Sequence, residues 1–516
     1  MRALALTLTT VACIATTNVA SAAAPKKPTF NEHVAPIFYK NCVNCHRAGD
    51  ITPMSLITYK EVRPWAKSIL KAVESGVMPP WHADEGIGHF SNERRLSDDE
   101  RDTIVNWVNK GAKQGKPEDL PTAPTFDDDG WRLGEPDLVI TFDEVDLDAG
   151  GPDQFYDLEA STGLTEDTWL QSVEVQPSNR KVAHHVIIWQ QGNADQQRGW
   201  VGAWAAGMEP MRFPDNTGRL LTAGSSLVAD MHYHPIDTAQ TDQTSIGLYF
   251  AEDNKVEKEL VNLWVQNPNF KIPAGNPNFA ARATYTFLQD SYVINLLPHL
   301  HYRGKDFNYT ARFPDGRKEK LLSVSKYDFN WRTSYELEEP LFVPKGTRID
   351  CIAHWDNSAD NPNNPDPTKD VTFGNESYDE MMIGFIDYVV KDGISPPSAS
   401  ELFEVYAQNL AERYPGEVYY TNVYDEADDS VQYTVSYLPT ASDTGVLHLN
   451  ANGTFLEATI TELSWEGGRF EAVVNVVGQI YDFSGDIEPT TGKLTGIIVD
   501  RGNAENGGSV RGGRVE

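Results

Sequence analysis

A chain of 516 residues has the length of about three domains and can bury several hydrophobic cores. With 75 Asp and Glu against 43 Lys and Arg, a formal charge of −32, it is unsuited to nucleic acid or to anionic membrane surfaces as partners. Beyond the first two dozen residues no stretch holds the ~18 uninterrupted apolar residues that a membrane span needs.

Residues 1–22 have the form of a signal peptide. Arg2 supplies the positive end, Ala3 to Ala15 a largely apolar core, and Ala20-Ser21-Ala22 a small-residue cleavage site. The expected mature protein is periplasmic or secreted. Cys13 suggests a lipid anchor, but Thr10 stands where such a signal wants Leu, Val or Ile. Three other cysteines remain, Cys42, Cys45 and Cys351, too few for a disulfide framework once the next motif has claimed two.

Residues 25–118 read as a haem module. Cys42-Val-Asn-Cys45-His46 is the c-type haem attachment pattern, in which two thiols hold the porphyrin and the following His ligates iron. A redox Cys-x-x-Cys or half a zinc site would not require the His, and no second Cys pair completes a zinc tetrad. Phe30, Val34, Ile37 and Phe38 fall at helical spacing upstream. Ser97-x-x-Glu100 is a capping box opening a helix striped by Ile104, Trp107, Val108 and Ala112. This order resembles a small class I cytochrome c. In such a protein Met/His ligation is the expected iron arrangement, so Met78 in Gly76-Val-Met78-Pro-Pro-Trp81 is the favoured sixth ligand, with Met54 and His82 as alternatives. His33 and His89 read as surface or packing residues. Residues 119–135, with Pro121, Pro124 and Asp127-Asp128-Asp129, read as a linker.

From residue 136 to 393 short β-branched and aromatic runs alternate with Gly, Pro, Asn and Asp turns, which predicts β-sandwich or jelly-roll layers. Strands are expected over 137–142, 182–189, 245–250, 291–297 and 383–390. Six of the twelve histidines fall here in three short motifs: His184-His185, His232-Tyr-His234 and His299-Leu-His301. Clustering of that kind points to metal. Successive strand residues face opposite ways, so His184 and His185 can serve one site only if the strand bulges there. Residues two apart share a face, so His232/His234 and His299/His301 both qualify as pairs. Imidazoles suit Zn, Cu, Fe or Ni, and a thioether, Met381 in Asp379-Glu380-Met381-Met382, shifts the preference to copper, above all Cu(I).

The order His-His, His-Tyr-His, His-x-His followed by Gly-Lys, then Asp-Glu-Met, resembles the copper type II ascorbate-dependent monooxygenases, the peptidylglycine α-hydroxylating and dopamine β-monooxygenase family, over residues 135–392. The resemblance implies two jelly rolls, 136–262 and 263–393, with a copper ion in each. His184, His185 and His232 would hold the electron-input copper. His299, His301 and Met381 would hold the copper at which dioxygen reacts, and so count as the catalytic set. His234 would be supporting or structural. The implied reaction hydroxylates a C–H bond of a small organic substrate with dioxygen. Where the amidating members hold a peptide carboxylate, this chain has Leu297, Ile383 and Phe385, which disfavours a peptide C-terminus and favours a neutral or apolar substrate. Cys351 aligns with a family cysteine whose disulfide partner is here Met382, so a free buried thiol is expected. In place of direct reduction by ascorbate, the fused haem would relay electrons from an external donor, ascorbate or a redox protein. The competing readings are a non-catalytic haem and copper electron-transfer or copper-binding protein, and a peptide-amidating enzyme.

His354 reads as structural, and Asn357 to Asp370 as a rigid surface loop in preference to a calcium loop. Residues 400–516 read as a β-rich domain of unknown role. A helix is expected over 401–413, strands over 417–423, 431–438, 445–449, 456–463, 470–481 and 494–499, and a frayed glycine-rich end after Arg501. Taken whole, the chain is expected to be multidomain and mainly β: a small helical haem domain, two jelly rolls and a small antiparallel β domain.

Overall fold

The computed structural model describes residues 24–48, 52, 54–126, 130–191, 199–205, 208–268, 270–287, 289–374, 376–395, 411, 416–425, 431–439, 442–451, 454–476, 479–501 and 507–514. The expected signal peptide and nearly all of the expected helix over 401–413 lie outside these. The fold is mainly β, with several sheets and few helices. Among the described residues no helix is long and apolar enough to cross a membrane. The chain forms two compact units, one of residues up to Pro80 with Arg94–Thr125, the other of Trp81–Glu93 with Phe126 onward.

The first unit is helical. A turn over Phe30–Val34 runs into a helix over Ala35–Asn41, followed by Tyr59–Val62, Ala66–Glu74 and Asp98–Asn109. Two starts carry full capping boxes, Thr58 with Glu61 and the expected Ser97 with Glu100. In each, the hydroxyl and the carboxylate satisfy amide groups that a helix start leaves bare. Phe30, Phe38 and Trp107 are fully buried, and the Phe30 ring lies 6.4 Å from Phe38 and 6.1 Å from Trp107.

In the second unit, residues 138–393 build two pairs of sheets. One four-stranded sheet has the order Gln154–Ser161, Ser226–Tyr233, Ala183–Gln191, Gly199–Ala205; its companion runs Leu138–Thr141, Ser245–Phe250, Thr168–Gln176, Thr217–Leu221 and Lys258–Glu259. The second pair comprises Val261–Gln266, Ile383–Val390, Ser291–His299, Tyr335–Val343 and Phe279–Thr286, Arg348–Trp355, Gly304–Arg312, Lys318–Val324. Each pair closes over its own apolar cluster. The five strands expected between 136 and 393 are all present, with ends moved by at most two residues.

Three sequence expectations are corrected. First, Trp81–Glu93 belongs to the second unit instead of the module 25–118: Trp81 packs edge-on against Tyr335 at 4.9 Å, and Asp84 accepts from the Ser323 hydroxyl at 2.6 Å. Second, the expected strand over 470–481 is two strands, Arg469–Val476 and Gln479–Ile487. Third, Gly507–Arg514 of the glycine-rich end is a strand. Gly507–Arg514 pairs with both Val418–Asp425 and Lys493–Asp500 and closes an eight-stranded barrel. Glycine costs entropy in a strand, but closure gives every edge amide a partner. The interior is filled by side chains such as Leu447, Ile460, Phe470 and Phe483. A chain ending at Arg501 would expose two bare edges, so it is expected to aggregate and to lose protection of the Val418–Asp425 amides, read by hydrogen exchange.

Candidate metal centre

His184 and His185 lie on the strand Ala183–Gln191, and His232 on its neighbour Ser226–Tyr233. Their register is Ala183↔Tyr233 and then His185↔His232, so His184 is the extra residue of a bulge. This is the distortion that the His-His pair demands, and it turns adjacent side chains to one side. The Nδ1 atom of His185 lies 3.1 Å from Nδ1 of His184 and 3.0 Å from Nδ1 of His232. The three residues form a cluster able to hold a metal ion.

The protonation pattern follows from the partners. Asp153 accepts from His232 Nε2 at 2.7 Å, from His234 Nδ1 at 2.7 Å and from the Tyr302 hydroxyl at 3.0 Å. With its proton on Nε2, neutral His232 presents a bare Nδ1 lone pair to the cluster. Phe155 stacks on the same ring at 4.4 Å and fixes its plane. His185 Nδ1 accepts from Arg332 at 2.8 Å, so it too is a lone pair. Lone pairs facing each other at 3.0 Å repel unless a cation lies among them. A four-coordinate ion bonded to nitrogen at about 2.0–2.1 Å holds its ligands roughly 3.3 Å apart. The donor set therefore fits a metal ion with small adjustment. His234, which the spacing alone left level with His232, is instead an exposed ring that shares Asp153.

His299 ends the strand Ser291–His299 and His301 follows two residues on, just past the strand end. Both are buried, with ring centres 5.2 Å apart at 89°. His301 Nδ1–H donates to the Asp379 carbonyl at 3.3 Å, which leaves Nε2 as its free nitrogen. Glu380 is the hub of this set. Its buried carboxylate accepts from the backbone N–H groups of His301 and Arg303 at 2.9 and 2.7 Å and from Trp355 Nε1 at 2.9 Å. Met381 follows Glu380 directly, and Ile383 pairs with His299, so the chain brings Met381 to the same strand ends. Cys351 is a buried free thiol and His354 is bonded to Asp306 at 2.8 Å, both as expected.

A cleft separates the two histidine sets. His185, His299 and Arg332 line it together with Trp200, Leu297 and Phe385. Phe329 stands between the sets, stacked on His184 at 5.7 Å and edge-on to His301 at 6.0 Å. Arg332 lies over the Phe329 ring at 4.5 Å. Asp387, at the cleft wall, is held by Arg219 at 2.9 Å and by Asn262 and Asn295 at 2.9 and 3.0 Å. Sequence reasoning missed Asp153, Phe329, Arg332 and Asp387. They lie in no motif, and only Glu380 sat inside a recognisable one.

In the first unit, the backbone N–H groups of Cys45 and His46 both bond to the Cys42 carbonyl, at 3.2 and 2.9 Å. That single turn holds Cys42, Cys45 and His46 within one tight stretch of backbone, and neither cysteine is in a disulfide. This fits covalent attachment of a haem. Met78 is half-buried in the turn that follows Ala66–Glu74. His82 belongs to the second unit, where it lines a small cavity with Pro298, Tyr327 and Trp331.

Burial, reinforced by the charge of Arg332, lowers the pKa of His184 and of His301 to about 3 and holds His185 and His299 well below the usual range. All four are neutral donors at neutral pH. An unfolded imidazole titrates near 6.5. Between pH 6.5 and about 3 the unfolded chain takes up protons that the folded one refuses, so acidification destabilises the metal-free fold. The slope is about 1.4 kcal/mol per pH unit for each such histidine. Urea midpoints taken from pH 7 to pH 4 should fall, and the fall should be shallower in His301→Gln.

Asp153 supports a second prediction. Carboxylates behind metal-bound histidines are typically worth 10–100-fold in affinity. Asp153→Ala should weaken metal uptake by the His184, His185 and His232 cluster by about that factor, measured by competition with a chromophoric chelator. Unchanged affinity would show that Asp153 does not act through His232.

No family model matches this chain, and no curated protein matches it. Among solved structures, one titled "Structure of allantoicase" is similar over 46% of this chain and 84% of its own, at 12% identity and a TM-score of 0.14. A likeness that low carries no argument about function.

Proposed function

We propose that the chain is an exported, copper-dependent monooxygenase related to the peptidylglycine α-hydroxylating and dopamine β-monooxygenases. It hydroxylates a C–H bond of a small organic substrate with dioxygen, and a fused c-type haem feeds it electrons from an external donor. On this reading the two sheet pairs of residues 136–393 are the family's jelly rolls, and residues 25–80 with 94–118 are a cytochrome c-like module in which His46 and Met78 ligate iron. The observation that carries the proposal is the convergence of three imidazole nitrogens at a strand bulge, with His299 across the same cleft and His301 beside it.

The two donor sets suit different tasks. Three imidazoles accommodate both copper oxidation states, and two imidazoles with the Met381 thioether favour Cu(I). The chemistry supplied by ions bound there is one-electron activation of dioxygen. The protein's own part is positional. Asp153 holds His232 in the tautomer that offers Nδ1, and the Asp379 carbonyl holds His301 in the one that offers Nε2. Glu380 pins the backbone between His301 and Arg303. Phe329 lies between the sets against a ring of each, while Leu297 and Phe385 give the cleft an apolar wall.

The reading of a mere electron carrier accounts for the histidines but leaves the cleft beside them without a use. Incubating the reduced, copper-loaded protein with a compound panel under heavy dioxygen separates the two. Label in a hydroxylated product is expected, and its absence from every product sinks the oxygenase reading. Met381→Ile should abolish turnover and leave the haem spectrum unchanged. Loss of the spectrum would instead assign Met381 to the iron or to the fold.

A further inference from the structure

The cleft between the histidine sets holds a charge with no direct carboxylate partner among the described residues; Asp230 acts on it only beyond ion-pair distance. Arg332 lies against the face of Phe329, and a guanidinium stays cationic at neutral pH. Among the described residues no carboxylate comes within ion-pair distance of it, and its Nε–H is buried without a hydrogen-bond partner. Asp387, which lines the same cleft, is already paired with Arg219 and two asparagines. The one hydrogen bond found for the Arg332 guanidinium goes to His185 Nδ1. That atom belongs to the cluster suited to a metal ion, so metal capture there would remove the acceptor and add positive charge beside the guanidinium. A buried cation left in that state is costly unless an anion joins it.

We propose that this cleft takes a small molecule bearing a carboxylate, and that Arg332 is the residue that recognises the carboxylate. The assignment rests on the cleft being the substrate site of the proposed oxygenase, and it names the substrate class. A guanidinium presents a planar fork of donors that matches a carboxylate. Of the other walls, Trp200, Trp204, Met211, Leu297 and Phe385 suit an apolar or aromatic body, beside a polar edge of Asn262, Asn295, Ser334 and the already paired Asp387. The absence of a polar clamp at Leu297, Ile383 and Phe385 therefore does not make the site neutral, because the charge enters from the loop that carries Phe329 and Arg332.

The test is binding, read by titration calorimetry and by the fluorescence of the cleft tryptophans on the full chain before and after copper loading. The probes are acetate, butyrate, benzoate and phenylacetate, each beside its primary amide. At least one carboxylate should bind 10-fold or more tightly than its amide, with a wider gap once copper occupies the His185 cluster. Arg332→Gln should erase the gap and leave amide affinity unchanged, and Arg332→Lys should keep part of it. Arg332→Met, which keeps the stem on Phe329, stands in if the Gln variant melts without cooperativity. The proposal falls if no carboxylate is preferred to its amide, or if the preference survives in Arg332→Gln and Arg332→Met. A carboxylate preference in a protein that never incorporates labelled oxygen would sink the oxygenase reading alone. Labelled product without that preference would sink the anion site alone.

Discussion

The constraint on which the site depends is one extra residue in a strand. A regular strand sends His184 and His185 to opposite faces, where no ion could touch both. The register shift between Ala183 and His185 breaks that alternation at one position and leaves it intact on either side. Val186 and Ile188 therefore still enter the core, and His232 stays opposite His185. A bulge forfeits part of the ladder. Here the loss is partly offset, since His234 N–H bonds to the Val182 carbonyl at 2.8 Å just beyond the shift. The distortion is thus local, held from both sides by regular pairing.

The two histidine sets solve the same problem with opposite nitrogens. In the first, a carboxylate behind His232 takes the Nε2 proton and aims Nδ1 inward. In the second, a backbone carbonyl behind His301 takes the Nδ1 proton and aims Nε2. The difference follows from where each ring is rooted. His232 lies within a strand, where a short reach to Nδ1 suffices. His301 lies past a strand end, beside the turn that Glu380 organises. Glu380 has no exposed surface and ties two amides and an indole. Its removal would leave three buried donors unsatisfied at once, which makes it a structural requirement of the turn quite apart from any chemistry at the histidines.

Much of this was legible in the residues. β-Branched runs marked the strands, and Ser245–Phe250 and Ile383–Val390 were read to the residue. The His-His pair announced its bulge because side-chain alternation leaves no other way for both rings to share a site. The capping box at Ser97 was legible because its chemistry is local. What stayed hidden acts over long separations. Asp153 is 79 positions from His232 and 149 from Tyr302, and Arg332 is 147 from His185. No periodicity connects such residues. The glycines of 507–514 read as a frayed end because propensity sees only the strand's own cost and not the two neighbours that closure supplies. Trp81 and Phe90 read as parts of the helical module for a similar reason: an aromatic residue in a loop does not declare which core receives it.

A boundary at residue 262 is natural in the sequence, and each half does have its own sheet pair and its own apolar cluster. The polar groups do not respect it. Tyr302 from the later half donates to Asp153 of the earlier one, Arg332 donates to His185, and Arg219 pairs with Asp387 with both side chains buried. Val389, from a late strand, even joins the earlier core. Separating the halves would strand a buried arginine and a buried aspartate and would loosen the carboxylate that orients His232. Breaking such buried pairs costs far more than forming them gains. The first histidine cluster is therefore completed by Tyr302 and Arg332 from the later half, and the two sheet pairs behave as one compact body around their shared cleft.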